Sequence, residues 1–331
     1  MIAVSLGDPS CIGPEVALSA WRRAAEDASI PPFTLFGARA ALLAAGARED
    51  ELYTVTDQGE TQQSNTVQGV WPARLPLVEL PGPALLPQAG QPDPRFAPLI
   101  ITAIETAVRA VQQGPYRALV TLPIAKSLLS EAGFAYAGHT EYLSVLAGLP
   151  REAATMMLVA DDFRVVPLTL HVSLKTAIRQ LTPHRLRQVI RNCYKGLTQY
   201  FNIQDPRLAV SGLNPHAGEN GTLGEEEQRI IAPTLDALRQ EGIRLTGPWP
   251  ADTLFTRQAR ESYDAAIAMT HDQALIPIKT LAFERAVNLT LGLPFVRTSP
   301  DHGTAFDIAG QGRADPSSFI AALQLAYRLA R

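Results

Sequence analysis

Cysteine is scarce in this sequence, which has only Cys11 and Cys193 among 331 residues. Two cysteines cannot build the disulfide framework of a small secreted protein, and they cannot form a cysteine-based zinc site. A metal ion bound to this protein would therefore need histidine and carboxylate ligands. The chain has six histidines, and their positions prove informative.

An excess of positive charge is missing as well, and so are long apolar runs. The 29 basic and 32 acidic residues give a net charge of -3, which lacks the general attraction for phosphate backbones that nucleic-acid binding requires. No stretch approaches the roughly 18 apolar residues of a membrane helix. The N-terminus Met1–Leu6 has no basic region of the kind that begins a signal peptide. These absences predict a cytoplasmic protein with neither a nucleic-acid nor a membrane partner.

The G-x-G-x-x-G motif of Rossmann dinucleotide sites and the Walker A motif are both absent. A strand-to-helix turn at residues 7–15 (GDPSCIGPE) offers two alternatives. It can present backbone N–H groups to an anion at the start of a helix, or it can serve only as a tight turn that begins the helix. The glutamates at 225–227 favour a helix start and are interpreted as structural.

What the chain does have is length and a large apolar fraction. Hydrophobic residues make up 46% of the chain and charged residues 18%, and 331 residues exceed what one core usually supports, so we expect two lobes around a cleft. Short β-branched runs alternate with amphipathic stretches, which predicts an α/β fold with a mostly parallel sheet. We place one lobe, with both termini, at 1–127 plus 275–331 and the central lobe at 128–274. The proline-rich stretch 72–98 is predicted to connect elements and to hold at most one strand.

The same patterns predict individual elements. The predicted strands are 2–6, 33–36, 75–80, 118–121, 155–160, 164–170, 207–211, 265–268 and 287–290. The predicted helices are 13–25, 96–112, 139–147, 173–180, 183–201, 225–240 and 317–331.

Three histidines follow the C-terminal ends of predicted strands. His171 follows 164–170, His216 lies in the loop after 207–211, and His271 follows 265–268. Ligands of open α/β sheets bind at this edge, and three imidazoles are a common protein complement for a catalytic divalent metal. Each histidine taken alone is more simply a hydrogen-bonded loop residue, so the shared position favours a metal without establishing one.

Two further groups of residues suit an anionic substrate. Gly138–Glu141 (GHTE) begins a predicted helix with His139 and Thr140, where an N-terminal dipole and a hydroxyl favour phosphate, although Thr140 is equally suited to a simple cap. Lys279, Asn288 and Arg297 recur about every nine residues through strand-like sequence and would bring two cations and an amide to one anion. Taken singly, each is better explained as a surface residue.

The densest motif is the stretch from Arg297 to Pro316, a long loop rich in small residues before the last predicted helix. Residues 302–316 (HGTAFDIAGQGRADP) resemble, without gaps, the adenosine-binding loop of the isocitrate and isopropylmalate dehydrogenases.

Taken in order, the motifs resemble those of the 4-hydroxythreonine-4-phosphate dehydrogenase family of pyridoxal phosphate biosynthesis over essentially the whole chain. The motifs that carry the resemblance are GDP and GPE in the first turn, 121–126 (TLPIAK), 138–141 (GHTE), 212–218 (GLNPHAG), 250–253 (PADT), 271–273 (HDQ) and 291–310. The resemblance implies an isopropylmalate-dehydrogenase-like fold of two α/β/α lobes. It also implies a homodimer whose active site is completed by the partner subunit.

The resemblance also implies roles for individual residues. His171, His216 and His271 would bind a divalent metal, with one of the three coming from the other subunit; three imidazoles suit zinc or cobalt better than magnesium. The phosphorylated substrate would be bound by His139, Thr140, Lys279, Asn288 and Arg297. NAD or NADP would be bound by His302, Gly303, Thr304, Ala305, Asp307 and Gly310.

The implied reaction is oxidation of 4-phosphooxy-L-threonine at C3, followed by loss of CO2 to give 3-amino-2-oxopropyl phosphate. Asp252, Asp272 and Lys279 are the candidates for the general base. One residue departs from the family pattern: Cys11 stands where glycine is usual, which predicts a crowded cleft or an altered φ, and so a changed fit of substrate or cofactor near the first turn. The alternatives are a paralogue acting on a four-carbon sugar-acid phosphate such as threonate or erythronate 4-phosphate, a metallohydrolase with three histidines, and a ligand-binding protein without activity.

Overall fold

The computed structural model describes residues 1–59, 71–136 and 138–330 of the protein. Its strands are β1 (Ile2–Ser5), β2 (Phe33–Gly37), β3 (Leu52–Thr54), β4 (Leu75–Glu79), β5 (Ala118–Thr121), β6 (Thr155–Ala160), β7 (Phe163–Pro167), β8 (Leu208–Ser211), β9 (Leu245–Trp249), β10 (Ala265–Ala268), β11 (Val287–Leu291) and β12 (Val296–Pro300). Its α-helices are α1 (Gly13–Arg23), α2 (Arg39–Ala44), α3 (Ala97–Gln113), α4 (Lys126–Glu131), α5 (His139–Leu146), α6 (Leu174–Gln180), α7 (Pro183–Phe201), α8 (Ala232–Gln240), α9 (Ala251–Leu254), α10 (Arg257–Arg260), α11 (His271–Ala282) and α12 (Ser317–Leu329).

By its internal contacts the chain divides into two compact units, Met1–Arg151 with Leu293–Arg331 and Glu152–Gly292. The boundaries differ from those placed near residues 128 and 275 on the sequence. Leu128 lies inside helix α4 and Leu275 inside helix α11, so a division at those positions would cut two helices. Composition alone does not mark the short connections where the units meet.

The first unit is built on a parallel sheet with the strand order β3-β4-β2-β1-β5-β12. Every residue of β1, β2, β5 and β12 is buried, as expected when both faces of a parallel sheet are covered. Helix α3 lies against β1, β2 and β5, and helix α12 packs on β12. The proline-rich stretch 72–98 contributes the single strand β4, which confirms that prediction.

The second unit has the strand order β11-β6-β7-β10-β8-β9. Its pairs β7/β10, β10/β8 and β8/β9 are parallel, whereas β11/β6 and β6/β7 are antiparallel. A long amphipathic helix, α7, begins where Thr182 accepts a hydrogen bond from the N–H of Arg185 and Pro183 takes the first helical position. No helix among the described residues is long and apolar enough to cross a bilayer.

Two elements at the site were not expected. Residues 271–282 form helix α11, although the segment around Lys279 was predicted to be strand-like. Residues 296–300 form strand β12, although Arg297 was predicted to begin a long loop. Proline within α11 obscures its helical pattern. The three central residues of β12 are Arg297, Thr298 and Ser299, which interrupt the apolar run that normally marks a buried strand.

Candidate active site

The three histidines lie beyond the C-terminal ends of three neighbouring parallel strands of the second unit. These strands stand in the order β7, β10, β8, and they are followed by His171, His271 and His216 respectively. Because parallel strands end at the same edge of a sheet, the topology directs all three histidines to one edge. The predicted position is therefore found for each of them.

Two of these histidines lie together. The ring centres of His171 and His271 are 5.2 Å apart. Two imidazoles on one tetrahedral zinc ion have ring centres about 5 Å apart, given Zn–N bonds of about 2 Å, so this pair fits a shared metal. Within the described ranges, no group of three His, Cys, Asp or Glu side chains is close enough to hold a metal ion. A single chain thus brings two of the three predicted ligands together.

The neighbouring Asp272 favours metal binding by His271. Its Oδ1 lies 2.8 Å from Nδ1 of His271, which keeps the proton on Nδ1 and leaves the lone pair on Nε2. A carboxylate behind the ligating imidazole is the usual arrangement around catalytic metals.

His216 stands in an unusual backbone conformation. Residues 216–220 all have positive φ, at 51°, 51°, 79°, 41° and 55°, and His171 also has a positive φ of 27°. Left-handed turns of non-glycine residues cost free energy, and they persist where surrounding contacts impose them. Glu227 holds the residues just before this turn: its buried carboxylate accepts hydrogen bonds from the N–H groups of Leu213 (2.7 Å) and Asn214 (2.8 Å). This glutamate is structural, as predicted, but it binds the loop instead of the helix dipole.

In the first unit, Arg297 is the centre of a positively charged group. Its side chain lies on β12, is only 2% exposed and donates a hydrogen bond to Oγ1 of Thr121 at the end of β5. Desolvation lowers the pKa of this guanidinium to about 9. A buried cation is stabilised when an anion binds beside it.

Lys126 adds a second positive charge beside Arg297, and His139 adds a neutral imidazole. Burial, followed by the charges of Arg297 and Lys126, lowers the pKa of His139 well below 6.5, so its imidazole is neutral near pH 7. The Nε2 atom of His139 is buried without a hydrogen-bond partner among the described residues. A Cβ on Gly138 would come within 2.9 Å of Cε of Lys126, so the lysine lies over the N-terminus of α5, the dipole end that attracts anions. Sequence reasoning missed Lys126, although its motif TLPIAK carried part of the resemblance.

The remaining predicted substrate ligands are found in different settings. Thr140 lies in the first turn of α5. Asn288 lies on β11 and has a buried Oδ1 atom without a hydrogen-bond partner among the described residues. Lys279 lies on α11, with Nζ 5.4 Å from the ring centre of Phe283. The prediction that Lys279 belongs to strand-like sequence is therefore wrong.

The other candidate bases also lie on helices of the second unit. Asp252 is an exposed residue in the first turn of α9. Asp272 lies in the first turn of α11, where its carboxylate bonds to His271. Its contact orients an imidazole, which is a different task from removing a substrate proton.

The predicted dinucleotide loop is attached to the turn after β1. Its Thr304 carbonyl accepts a hydrogen bond from the N–H of Ile12 (3.2 Å), and the N–H of Gly310 donates to Oε2 of Glu15 (3.1 Å). Ala305 has a positive φ of 43°. His302 has a pKa lowered by burial and a buried Nε2 atom with no hydrogen-bond partner in the described chain. Gly303, Asp307 and Gly310 are exposed, so the loop offers open backbone and one unsatisfied nitrogen to a ligand.

The first turn uses several of its backbone N–H groups within the protein. Ser10 donates to Oδ1 of Asp8, Ile12 to the Thr304 carbonyl and Gly13 to Sγ of Cys11. These three groups are not available to an anion, which favours the interpretation that the turn serves to begin α1.

Cys11 fits its turn without strain. The residue is 4% exposed and is not among those with positive φ, and burial raises the pKa of its thiol to about 12. Its sulfur accepts the Gly13 N–H at 3.1 Å, and crowding of the cleft stays a prediction.

Comparison with known proteins is consistent across sequence and structure. The family model described as "Pyridoxal phosphate biosynthetic protein PdxA" matches residues 31–326. A 4-hydroxythreonine-4-phosphate dehydrogenase of Methylorubrum populi is 49% identical over 334 residues, covering 100% of this chain and 94% of its own. The enzyme of the same name from Bradyrhizobium diazoefficiens is 48% identical over 99% of this chain and 96% of its own. The crystal structure of the Klebsiella pneumoniae 4-hydroxythreonine-4-phosphate dehydrogenase matches with a TM-score of 0.86 at 36% identity, covering 100% of this chain and 99% of that one.

Proposed function

The chain belongs to the PdxA family of pyridoxal phosphate biosynthetic proteins, as its motifs predicted, and we propose that it oxidises 4-phosphooxy-L-threonine with a divalent metal and NAD or NADP. The hydroxyl at C3 would give its proton to a base, and NAD or NADP, when bound, would supply the acceptor for the C3 hydrogen as hydride. The resulting β-keto acid loses CO2, as the bond to the carboxylate breaks and a proton is taken up, to give 3-amino-2-oxopropyl phosphate.

The observation that carries the proposal is the positively charged group of the first unit, which is centred on the buried Arg297. Arg297 is buried within a sheet, Lys126 lies over the start of α5, and His139 has an unsatisfied ring nitrogen beside them. A phosphate monoester supplies the charge and the acceptor oxygens that these groups need. In the second unit, Asn288 and Lys279 would serve the same substrate.

His171, His216 and His271 would hold the metal, and the His171–His271 spacing supports this. When bound, the metal supplies Lewis acidity that lowers the pKa of the substrate hydroxyl. The protein's own part is to orient the imidazoles, which the hydrogen bond between Nδ1 of His271 and Asp272 does for one of them. Asp252, Asp272 and Lys279 stay the candidates for the base that receives the proton.

NAD or NADP would bind at the loop formed by His302, Gly303, Thr304, Ala305, Asp307 and Gly310. A groove of about 660 Å³ borders this loop at Gly310 and Gly312 and is lined on its other side by α1. That volume lies within the usual range for small-ligand sites.

The direct test is NADH or NADPH formation by the purified protein with Zn²⁺, Co²⁺ or Mg²⁺ and 4-phosphooxy-L-threonine. Turnover of threonate 4-phosphate in place of this substrate would overturn the substrate assignment. Absence of NAD and NADP binding at equilibrium would point to a metallohydrolase. Unchanged behaviour of a His216→Ala variant in every assay would point to a protein that only binds its ligand.

We also propose that the protein is a homodimer whose partner subunit supplies one of the three metal-binding histidines. The support is that most of the exposed large apolar side chains among the described residues lie in the second unit. They are Val172, Leu174, Ile178, Leu223, Trp249, Ile276, Leu281 and Phe283. Light scattering after gel filtration should give twice the 35.7 kDa chain mass, and a monomer that retains full activity would contradict the proposal.

A further inference from the structure

The side chain of Gln273 joins the two segments that lead to His216 and His271. Its Nε2 atom lies 3.0 Å from the Gly212 carbonyl and 3.4 Å from the Leu213 carbonyl, at the start of the loop that contains His216. Its Oε1 atom accepts hydrogen bonds from the N–H groups of Met269 (3.0 Å) and Thr270 (3.1 Å), just before His271. All four hydrogen bonds of this side chain therefore join it to the segments that directly follow β8 and β10.

Helix capping explains only half of this arrangement. Thr270 and Gln273 form a capping box at the start of α11, in which the Gln273 side chain accepts from the Thr270 N–H. Glutamate would fill that role equally well. Only an amide can also donate to the Gly212 and Leu213 carbonyls, so the choice of glutamine is explained by the bonds that cross from one strand end to the next.

The loop that leads to His216 is also held by a second residue. Glu227 holds the N–H groups of Leu213 and Asn214, and Nδ2 of Asn214 donates to Glu227 Oε2 at 2.9 Å. The loop between Gly212 and the left-handed turn at His216 is thus held from two sides, by Glu227 and by Gln273, and Gln273 also holds the turn before His271.

We propose that Gln273 is a positioning residue that holds both the His216 loop and the His271 turn in place, and thereby sets the affinity of the protein for its divalent metal. The inference rests on the proposed metal centre. Groups that orient metal ligands typically change metal affinity by about 10- to 100-fold when they are removed.

The test compares Gln273→Glu, which keeps the capping acceptor and loses the donors, with Gln273→Met, which has similar volume and loses both. Gln258→Met, at an exposed position on α10 of the same unit, is the matched control. Metal affinity is measured on the full-length protein by Co²⁺ competition with a chelator, and the Co²⁺ absorption spectrum reports coordination geometry. Circular dichroism and urea midpoints of the metal-free proteins report folding.

We expect both Gln273 variants to bind Co²⁺ about 10- to 100-fold more weakly than the Gln258→Met control, with an altered Co²⁺ spectrum. If Gln273→Met does not fold, the result is decided by Gln273→Glu, which keeps the acceptor that caps helix α11. Wild-type affinity and spectrum in a folded Gln273 variant would overturn this inference alone. Failure of the wild-type protein to bind any of the three metals would overturn the proposed metal-dependent function, and this inference with it.

Discussion

Arg297 combines a charge with an interior position, and this makes it the most informative residue of the substrate site. We expect Arg297→Met to raise the dissociation constant of inorganic phosphate and the KM of the substrate by at least about 30-fold, because losing one member of a buried charge pair costs about 2–5 kcal/mol. The urea midpoint of the free protein should not fall, since an apolar side chain replaces a desolvated cation.

The control for this experiment is Arg328→Met, which removes an exposed arginine from α12 of the same unit. It should leave phosphate binding at the wild-type value. A large loss of stability with unchanged phosphate affinity in Arg297→Met would assign Arg297 a purely structural role.

Lys126 offers a second test of the positive group. Its charge contributes to the lowered pKa of His139, so Lys126→Met should move the pKa of His139 upward, toward 6.5, as followed by NMR titration. Phosphate binding should weaken only about two- to fivefold, because Lys126 is exposed and its interactions are screened by solvent. The exposed Lys175→Met is the control, and an unchanged His139 titration would show that the lysine does not act on the histidine.

Single residues of the site differ in how far the sequence could reveal them. His139, Arg297 and the three histidines stand in motifs or after strands, so pattern and resemblance predicted them as ligands. Lys126 and Gln273 act through contacts with residues that are distant in the chain, Gly138 and Gly212. No local pattern records such contacts, which is why the roles proposed for them rest on the fold.

Among the elements, the turn from β1 into α1 depends most strictly on one residue type. Gly7 has φ of 73°, and a Cβ there would lie 2.2 Å from the Pro123 carbonyl oxygen. Gly46 has φ of 92° and no atom within 4 Å of such a Cβ. Gly46→Ala should therefore cost only the about 1–2 kcal/mol of a left-handed residue. Gly7→Ala should cost clearly more, because the backbone must also move.

Urea denaturation of the two variants measures this difference directly. Because both positions have positive φ, the difference between their midpoints isolates the collision with Pro123. Equal midpoints would show that the β5 end yields easily and that the turn is not tightly packed.

Helix α11 and strand β12 show what limits prediction at the scale of elements. Periodicity identifies an element when apolar residues mark its buried face. In β12 the buried positions carry Arg297 and its polar neighbours, and in α11 the pattern is broken by Pro277. Both segments contain proposed ligands, so the sequence pattern is weakest where polar function displaces apolar packing.

At the scale of the whole molecule, the order of strands brings residues that are far apart in the chain to one edge of a sheet, which no local motif does. The three histidines are separated by 45 and 55 residues in the chain (216 − 171 and 271 − 216), yet β7, β10 and β8 are neighbours. The alternation of strands and helices predicted a mostly parallel sheet and hence a common edge. It could not predict which strands are neighbours, because strand order depends on packing across the whole unit.

The pH dependence of stability also belongs to the whole molecule, since it compares the folded with the unfolded chain. Burial lowers the pKa of both His139 and His302 in the folded protein, whereas in the unfolded chain they titrate near 6.5. Below pH 6.5 the unfolded chain therefore binds protons that the folded chain does not. The contribution of these two histidines to the free energy of unfolding is therefore fully present above pH 6.5. It falls as the pH decreases, by up to about 1.4 kcal/mol per pH unit for each histidine.

Replacing His139 by glutamine removes one of the two imidazoles, those of His139 and His302, that bind a proton only in the unfolded chain. The urea midpoint of His139→Gln should consequently fall less steeply than that of the wild-type protein between pH 6.5 and pH 5, by the contribution of a single histidine. The matched variant His184→Gln changes an exposed imidazole on α7 and should keep the wild-type slope. Parallel curves for wild-type and His139→Gln would mean that His139 accepts a proton in the folded state, and the anion site would then gain a third positive charge at acidic pH.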